Sequence, residues 1–401
     1  MAITFNADTT NGAVITSDTS GEIELQANGV TKAKVTANGL QDANGNSLRG
    51  GMYRNLIING DMRIAQRGTS TTGTTGDGYY TVDRFHVVNR IAGTWTQTQD
   101  TDVPSGQGFV SSLKMQCTTA NASLSASDQL RLEQRIEAQM LQHLKFGTAN
   151  AETLTLSFWV KSNKTGTYTA WLYALDDVRS ISKAYTINTA DTWEKKKITI
   201  EGDSVAVIDN DNDLGLFCTF SLGAGSNYTS GTFNTSWNSH VTANMISPSQ
   251  VNLADSTSNY INITGVQLEV GEGASDFEFL PYDVQLQRCQ RYYYKIKGTG
   301  GGCIFATGWN VSTTSASYSI TLPVTMRTYP TALETSGTAS HYQIVHTNTA
   351  NACNGVPTYG GETSPEMARV DTTVASGLTA GQGSGIRASN IAAYLAWSAE
   401  L

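Results

Sequence analysis

Charge is what this 401-residue chain has least of: only 15% of its residues are Asp, Glu, Lys or Arg. Long stable helices draw heavily on Ala, Leu, Glu and Lys, so the shortage argues against a helical protein. Thr, Ser, Asn and Gly are abundant instead, and polar β-formers broken by turn residues favour an all-β chain. Positive charge is not in excess either. The formal net charge is −8, which leaves no basic face for nucleic acid and a poor match to an anionic membrane surface. No apolar run approaches the length of a membrane span, so no membrane insertion is expected. The five cysteines, Cys117, Cys218, Cys289, Cys303 and Cys353, are odd in number and far apart. None forms a C-x-x-C pair, which removes zinc and redox motifs on spacing grounds. Cys117 and Cys218 sit inside apolar strand patterns and read as small buried hydrophobes. Assembly in a reducing cytosol without disulfides is expected. The opening Met1-Ala2-Ile3-Thr4-Phe5 reads as a strand, not as a signal peptide.

Catalytic patterns are also missing. His341 and His346 lack the i, i+4 spacing and intervening Glu of a zincin. The nucleophile elbow G-x-S-x-G has a near miss at Gly383-Ser384-Gly385, but Gln382 and Ile386 stand where its glycines should be. Walker and Rossmann loops are absent. Glycoside hydrolysis needs two carboxylates with separate roles, and the sequence does not pair Asp83, Glu133, Glu137, Glu269 or Glu278 across a cleft. The expectation is a non-enzyme with no catalytic residues. Asp209-Asn210-Asp211-Asn212-Asp213 offers calcium-type ligands, yet Leu214 and Phe220 occupy the positions where an EF-hand needs Gly and Glu.

What is present is a succession of strands and turns. Asn-Gly pairs at Asn11-Gly12, Asn28-Gly29, Asn38-Gly39 and Asn44-Gly45 separate short alternating runs such as Glu22-Ile23-Glu24-Leu25. Asn-Gly readily takes the positive φ values of a type I′ hairpin turn. The apolar inventory of these fifty residues is too small for a core of their own, so partner chains are expected to supply the missing burial. From Trp95 to Leu222 strand patterns follow at short spacing. Leu154, Leu156, Phe158 and Val160 share one face and alternate with Thr155, Ser157 and Trp159. Such density predicts a two-sheet sandwich. One segment conflicts: Leu132, Ile136, Met140, Leu141 and Leu144 have helical spacing, which alone predicts a helix over about 127–146.

Two segments carry a resemblance. Asn55-Leu56-Ile57-Ile58-Asn59-Gly60-Asp61-Met62 with Gln66-Arg67-Gly68 and Tyr80–Phe85 opens the middle region. Gln267-Leu268-Glu269-Val270-Gly271, Phe277-Glu278, Pro281-Tyr282 and Arg288–Tyr293 close it. Both resemble the signatures of a broad group of phage tail-fibre and minor virion structural proteins. Met326-Arg327-Thr328-Tyr329-Pro330-Thr331 and the final Ala392–Leu401 run also look like parts of phage-fibre C-terminal domains.

The resemblance implies an all-β chain in three parts. These are a β-prism-like N-terminal attachment region shared between chains (1–54), a jelly roll like a carbohydrate-binding module (55–282) and a C-terminal β-sandwich tip (283–401). It replaces the 127–146 helix by a strand through Leu132–Ile136 and a short helix ending near Gly147. It places Glu269 and Glu278 in structural roles. It implies a homotrimer docked through its N-terminus on other virion tail or capsid proteins, assembled in the host cytoplasm and recognising host-surface glycan. A purely structural head-fibre or decoration protein and a polysaccharide depolymerase are the alternatives. No cofactor is required, although jelly-roll modules often carry a structural calcium. Sugars stack on exposed rings. Trp159, Trp171 and Trp193 fall in strand patterns and read as core, which leaves Trp237, Trp309, Tyr342 and Tyr359 as the candidate ligand residues. The long polar loops 298–302, 347–361 and 375–385 put the expected weight of recognition on the tip.

Overall fold

The computed structural model describes residues 22–36, 39–42, 53–347 and 349–401. The turns expected at Asn11-Gly12, Asn38-Gly39 and Asn44-Gly45 fall wholly or partly outside them. The Asn28-Gly29 hairpin is present. Strands Ile23–Ala27 and Val30–Thr36 pair antiparallel across a two-residue turn, with φ of 54° at Asn28 and 73° at Gly29. Gly39–Asp42 adds a third strand. Leu25, Val30, Val35 and Leu40 remain between 41% and 55% exposed on this small sheet.

The middle region is a jelly roll of two packed sheets. The first has six strands, in the order Glu194–Ile200, Leu154–Ser162, Tyr260–Val270, Ser112–Thr119, Thr94–Asp100 and Ser70–Thr74. The second has seven: Asn238–Ser239, Arg179–Ile187, Gly166–Ala174, Leu214–Ala224, Gln129–Glu137, His86–Arg90 and Gly78–Tyr79. Their ladders are antiparallel. The strand period of two sends Leu154, Leu156, Phe158 and Val160 from one sheet against Leu216, Cys218, Phe220 and Leu222 from the other. Phe158 meets Phe220 and Tyr185 edge-on at 4.9 and 5.1 Å between centroids.

The ambiguous segment resolves as strand Gln129–Glu137 followed by a 3₁₀ helix, Ala138–Leu144. Leu130, Leu132 and Ile136 enter the core with strand alternation, and the ladders to Leu214–Ala224 and His86–Arg90 override the helical spacing.

The opening and closing signatures meet in space. Asn55 Nδ2 donates to Val266 O, and its Oδ1 accepts from the Leu268 amide. Glu278 accepts from the Asn55 amide at 3.0 Å. Glu269, fully buried, accepts from Gln267 Nε2 and from the amide and hydroxyl of Ser275 at 2.6–2.8 Å. A Cβ on Gly60 would lie 2.0 Å from Val266 O, so only glycine fits there. These motif residues therefore clamp the two ends of the sandwich together.

Helix Tyr282–Gln290 leads out of the jelly roll. The C-terminal part packs a seven-stranded sheet, centred on Gly383–Ala388, Ile304–Asn310 and Ser315–Thr321, against a three-stranded one of Tyr293–Lys297, Tyr394–Ser398 and Glu334–Thr335. Tyr318, Tyr342, Ile386, Leu395 and Trp397 fill the space between them. The junction with the jelly roll is polar and buried. Arg84, 1% exposed, pairs with Glu400 and lies 3.4 Å over the Tyr292 ring, while Arg291 and Tyr292 both hold Glu137.

Candidate functional site

The period that sends Leu172, Cys218 and Phe220 into the core sends their neighbours outward, and on the seven-stranded sheet those neighbours are aromatic and polar. Pairing register lines them up in rows across the strands. One row is Ser182, Trp171, Thr219, Glu133 and His86; a second is Ser180, Tyr173, Phe217 and Arg135; a third runs Thr169, Ser221 and Arg131. Tyr173 and Phe217 stack at 5.6 Å between centroids with 22° between planes, and His240 lies 4.7 Å from Tyr173 on its other flank. The loop after Ala224 folds back over one end of this face, where Tyr228, Met245 and Ile246 pack on Trp171. Between loop and sheet is a recess of about 210 Å³, walled by Arg131, Trp171, Tyr173, Phe217, His240 and Met245 among others.

The polar groups of this face are unevenly satisfied. Trp171 Nε1, Gln129 Nε2, Thr219 Oγ1 and Ser221 Oγ are buried and have no hydrogen-bond partner in the protein. Buried polar groups are usually paired, so four open ones on one face are unusual. Two of the residues that carry them, Trp171 and Gln129, line the recess itself. Arg131 sits 5.4 Å from the Trp171 ring and binds Gln129 Oε1 and Glu133. Burial pushes the Glu133 carboxyl upward. The hydrogen bond to His86 and the charges of Arg131 and Arg135 outweigh it and hold the carboxyl down at about 2. Burial, helped by Arg131, lowers the His240 pKa, so the imidazole beside Tyr173 is neutral at pH 7. The site thus offers flat rings, open hydrogen-bonding groups and fixed guanidinium charge.

The four residues singled out from the sequence are scattered. Trp237 is buried: it donates to Glu201 O at 2.6 Å and packs edge-on against Phe146, which makes it a plug of the sandwich. Tyr342 is also buried, its hydroxyl tied to Tyr394 O and the Ser336 amide, so it is a core residue of the tip and not an exposed ring. Tyr359 is half-buried and donates to Pro330 O at 2.7 Å. Trp309 alone is open, 50% exposed on the outer face of the tip's larger sheet. Of the three other tryptophans read as core, Trp171 is buried, in a small apolar cluster under the loop on the outer side of the sheet and not between the two sheets. The reading needs correction for the other two: half-buried Trp159 stands on the outer face of the six-stranded sheet, and half-buried Trp193 donates to Asp102 Oδ1. On strand Gly166–Ala174 the alternation that turns Leu172 inward turns Trp171 and Tyr173 outward, a signal that the sequence analysis did not use.

The Asp209–Asp213 run is not gathered around a common point. Asp213 pairs with Arg327, and Asp211 Oδ1 accepts from the Asp213 amide. Among the described residues no three His, Cys, Asp or Glu side chains are grouped to hold a metal ion.

No protein-family model and no curated protein sequence matches the chain. Solved structures with a similar course of the chain include the enzymatically active domain of tailspike protein 4 of bacteriophage CBA120. That match has 15% identity and a TM-score of 0.28, over 54% of this chain and 22% of that one. They also include a putative sugar-binding protein from Bacteroides thetaiotaomicron, with 12% identity, a TM-score of 0.30, and 54% and 99% of the two chains covered. A family 11 carbohydrate-binding module from Clostridium thermocellum, solved with a mixed-linked tetrasaccharide, has 10% identity and a TM-score of 0.23 over 52% and 98%. Likeness at this level carries no inference about ligand or activity.

Proposed function

We propose that this chain is a non-catalytic, glycan-binding appendage protein of a phage particle. In this reading it docks through its N-terminal region as a homotrimer and holds host-surface saccharide on the outer face of the seven-stranded sheet. One observation carries the binding part: stacked rings and open, buried hydrogen-bonding groups share a single sheet face. A sugar ring presents an apolar face to Tyr173 and Phe217 and hydroxyls to the polar side chains of the recess wall, Gln129, His240 and Thr242. The guanidinium of Arg90 at the rim, with Asp77 no nearer than 3.8 Å, suits an acidic group on the sugar. The non-catalytic part is supported by the state of the nearby carboxylates. Glu133 is held ionised by two arginines, and Glu137 is bound by Arg291 and Tyr292, so neither is poised as a general acid. The trimer reading is supported by the small N-terminal sheet, where Leu25, Val30, Val35 and Leu40 have little cover among the described residues. Several weak sites on one particle would then act through avidity.

Incubation of the full chain with purified host envelope polysaccharide tests this reading. Retention without release of oligosaccharide is expected. Release of product contradicts the non-catalytic assignment, and no retention on any host envelope fraction contradicts the binding assignment and favours a purely structural virion protein.

A further inference from the structure

The opposite face of the jelly roll holds a second recess that the groove over Trp171 does not involve. It opens on the outside of the six-stranded sheet and measures about 260 Å³. A β-bulge makes the space. The pairing of Leu154–Ser162 with Tyr260–Val270 shifts register between Ser157 and Trp159, and Gly265 takes a φ of +61° there. A Cβ on Gly265 would lie 2.6 Å from the Phe109 ring and 3.1 Å from Trp159, so a larger residue would crowd the floor. Phe109, Phe277 and Phe279 form a triangle with centroids 4.9–5.1 Å apart, and Phe279 is 47% exposed at its rim. Lys195, Gln107 and Asp276 complete the rim with charged and amide groups.

We infer that this recess is a second saccharide site, which takes one sugar ring against Trp159. The chemistry fits a sugar better than a purely apolar ligand. The floor is aromatic, while the rim offers a cation, a carboxylate and an amide, the donors and acceptors that ring hydroxyls need. The volume suits a single ring and not a chain running through. Because the two recesses lie on opposite outer faces of one sandwich, each protein chain could hold two glycan strands at once. Bridging of neighbouring strands would raise retention on a dense surface without any new contact.

An array of immobilised oligosaccharides, covering neutral hexoses, N-acetylhexosamines and uronates, tests the inference. It is read with the full chain, Trp159→Ala, Lys195→Ala and Tyr173→Ala. Trp159→Ala should bind about tenfold more weakly to a set of glycans that Tyr173→Ala still holds. Lys195→Ala should weaken the same set with an unchanged melting temperature, which separates lost binding from lost folding. If Trp159→Ala and Lys195→Ala both give the pattern of the unaltered chain, the second site does not exist, even if Tyr173→Ala loses its glycans and the first site stands. If Tyr173→Ala gives the unaltered pattern while the other two lose glycans, the second site stands and the proposed groove falls.

Discussion

The jelly roll and the tip each present an outer sheet face with aromatic residues, and the two faces are built differently. On the jelly roll, Tyr173, Phe217 and His240 stack in a row beneath a loop, and buried Trp171, Gln129, Thr219 and Ser221 keep open polar atoms. On the tip, Trp309 stands by itself across the ladder from Ser317 and Gly383. The outward polar groups across the ladder bind one another, with Arg369 holding Ser317, Asp371 and Glu362, while the open buried atoms of the tip, on Asn310, His346, Thr372 and Trp397, are not gathered beside a row of rings. An exposed ring is therefore weaker grounds for a site than a half-covered row of rings with unspent hydrogen-bonding capacity. Ordinary surfaces expose single apolar residues, whereas buried polar atoms are seldom left open.

The largest expected effect concerns whether the two regions behave as separate units at all. Arg84→Ala removes one of the two arginines that hold the buried Glu400 carboxylate, leaving Arg67 at 3.3 Å, and should cost about 1.5–3 kcal/mol. The tip should then unfold apart from the jelly roll, as two calorimetric transitions where the unaltered chain gives one. A single transition at an unchanged temperature would mean that the junction does not couple them.

Comparable in size is the acid response of the jelly-roll face. The folded pKa of Glu133, about 2, lies below the ordinary value of 4.5, so its contribution is present above pH 4.5 and lost as pH falls through about 2. That contribution is about 3 kcal/mol near neutrality. Glu133→Gln should lower stability at pH 7 by that order, and the difference from the unaltered chain should shrink steadily between pH 4.5 and 2. Denaturant melts across that range check it, and a difference that stays constant with pH would assign the loss to packing.

Smaller effects separate the two faces directly. Tyr173→Ala should weaken glycan retention by about tenfold, because the ring is a stacking platform. Trp309→Ala should lower stability by no more than about 1 kcal/mol, since half of the residue is already in water. A large loss of stability in Trp309→Ala would show that its buried half carries tip packing.

Much of the fold was readable from residues alone. Alternation assigned Leu154, Leu156, Phe158 and Val160 to one face, and Asn28-Gly29 marked its hairpin. Strand Gln129–Glu137 was not, because its leucines fit a helix equally well and only the neighbouring strands decide between them. The site was legible in part. Trp171 and Tyr173 are two apart on a strand whose inward residues were recognisable, but their partner Phe217 lies 44 positions further on from Tyr173 and joins them only through register. Burial of Trp237 and Tyr342 depended on partners such as Glu201 and Tyr394, which no local pattern announces.

The central claim rests on the jelly-roll recess over Trp171, and one paired measurement tests it most directly. Retention of Tyr173→Ala and of Trp309→Ala is compared with the unaltered chain on the same host polysaccharide, each variant first matched for melting temperature. Tyr173→Ala is expected to lose retention while Trp309→Ala keeps it. Retention lost in Trp309→Ala and kept in Tyr173→Ala would contradict it and move recognition to the tip.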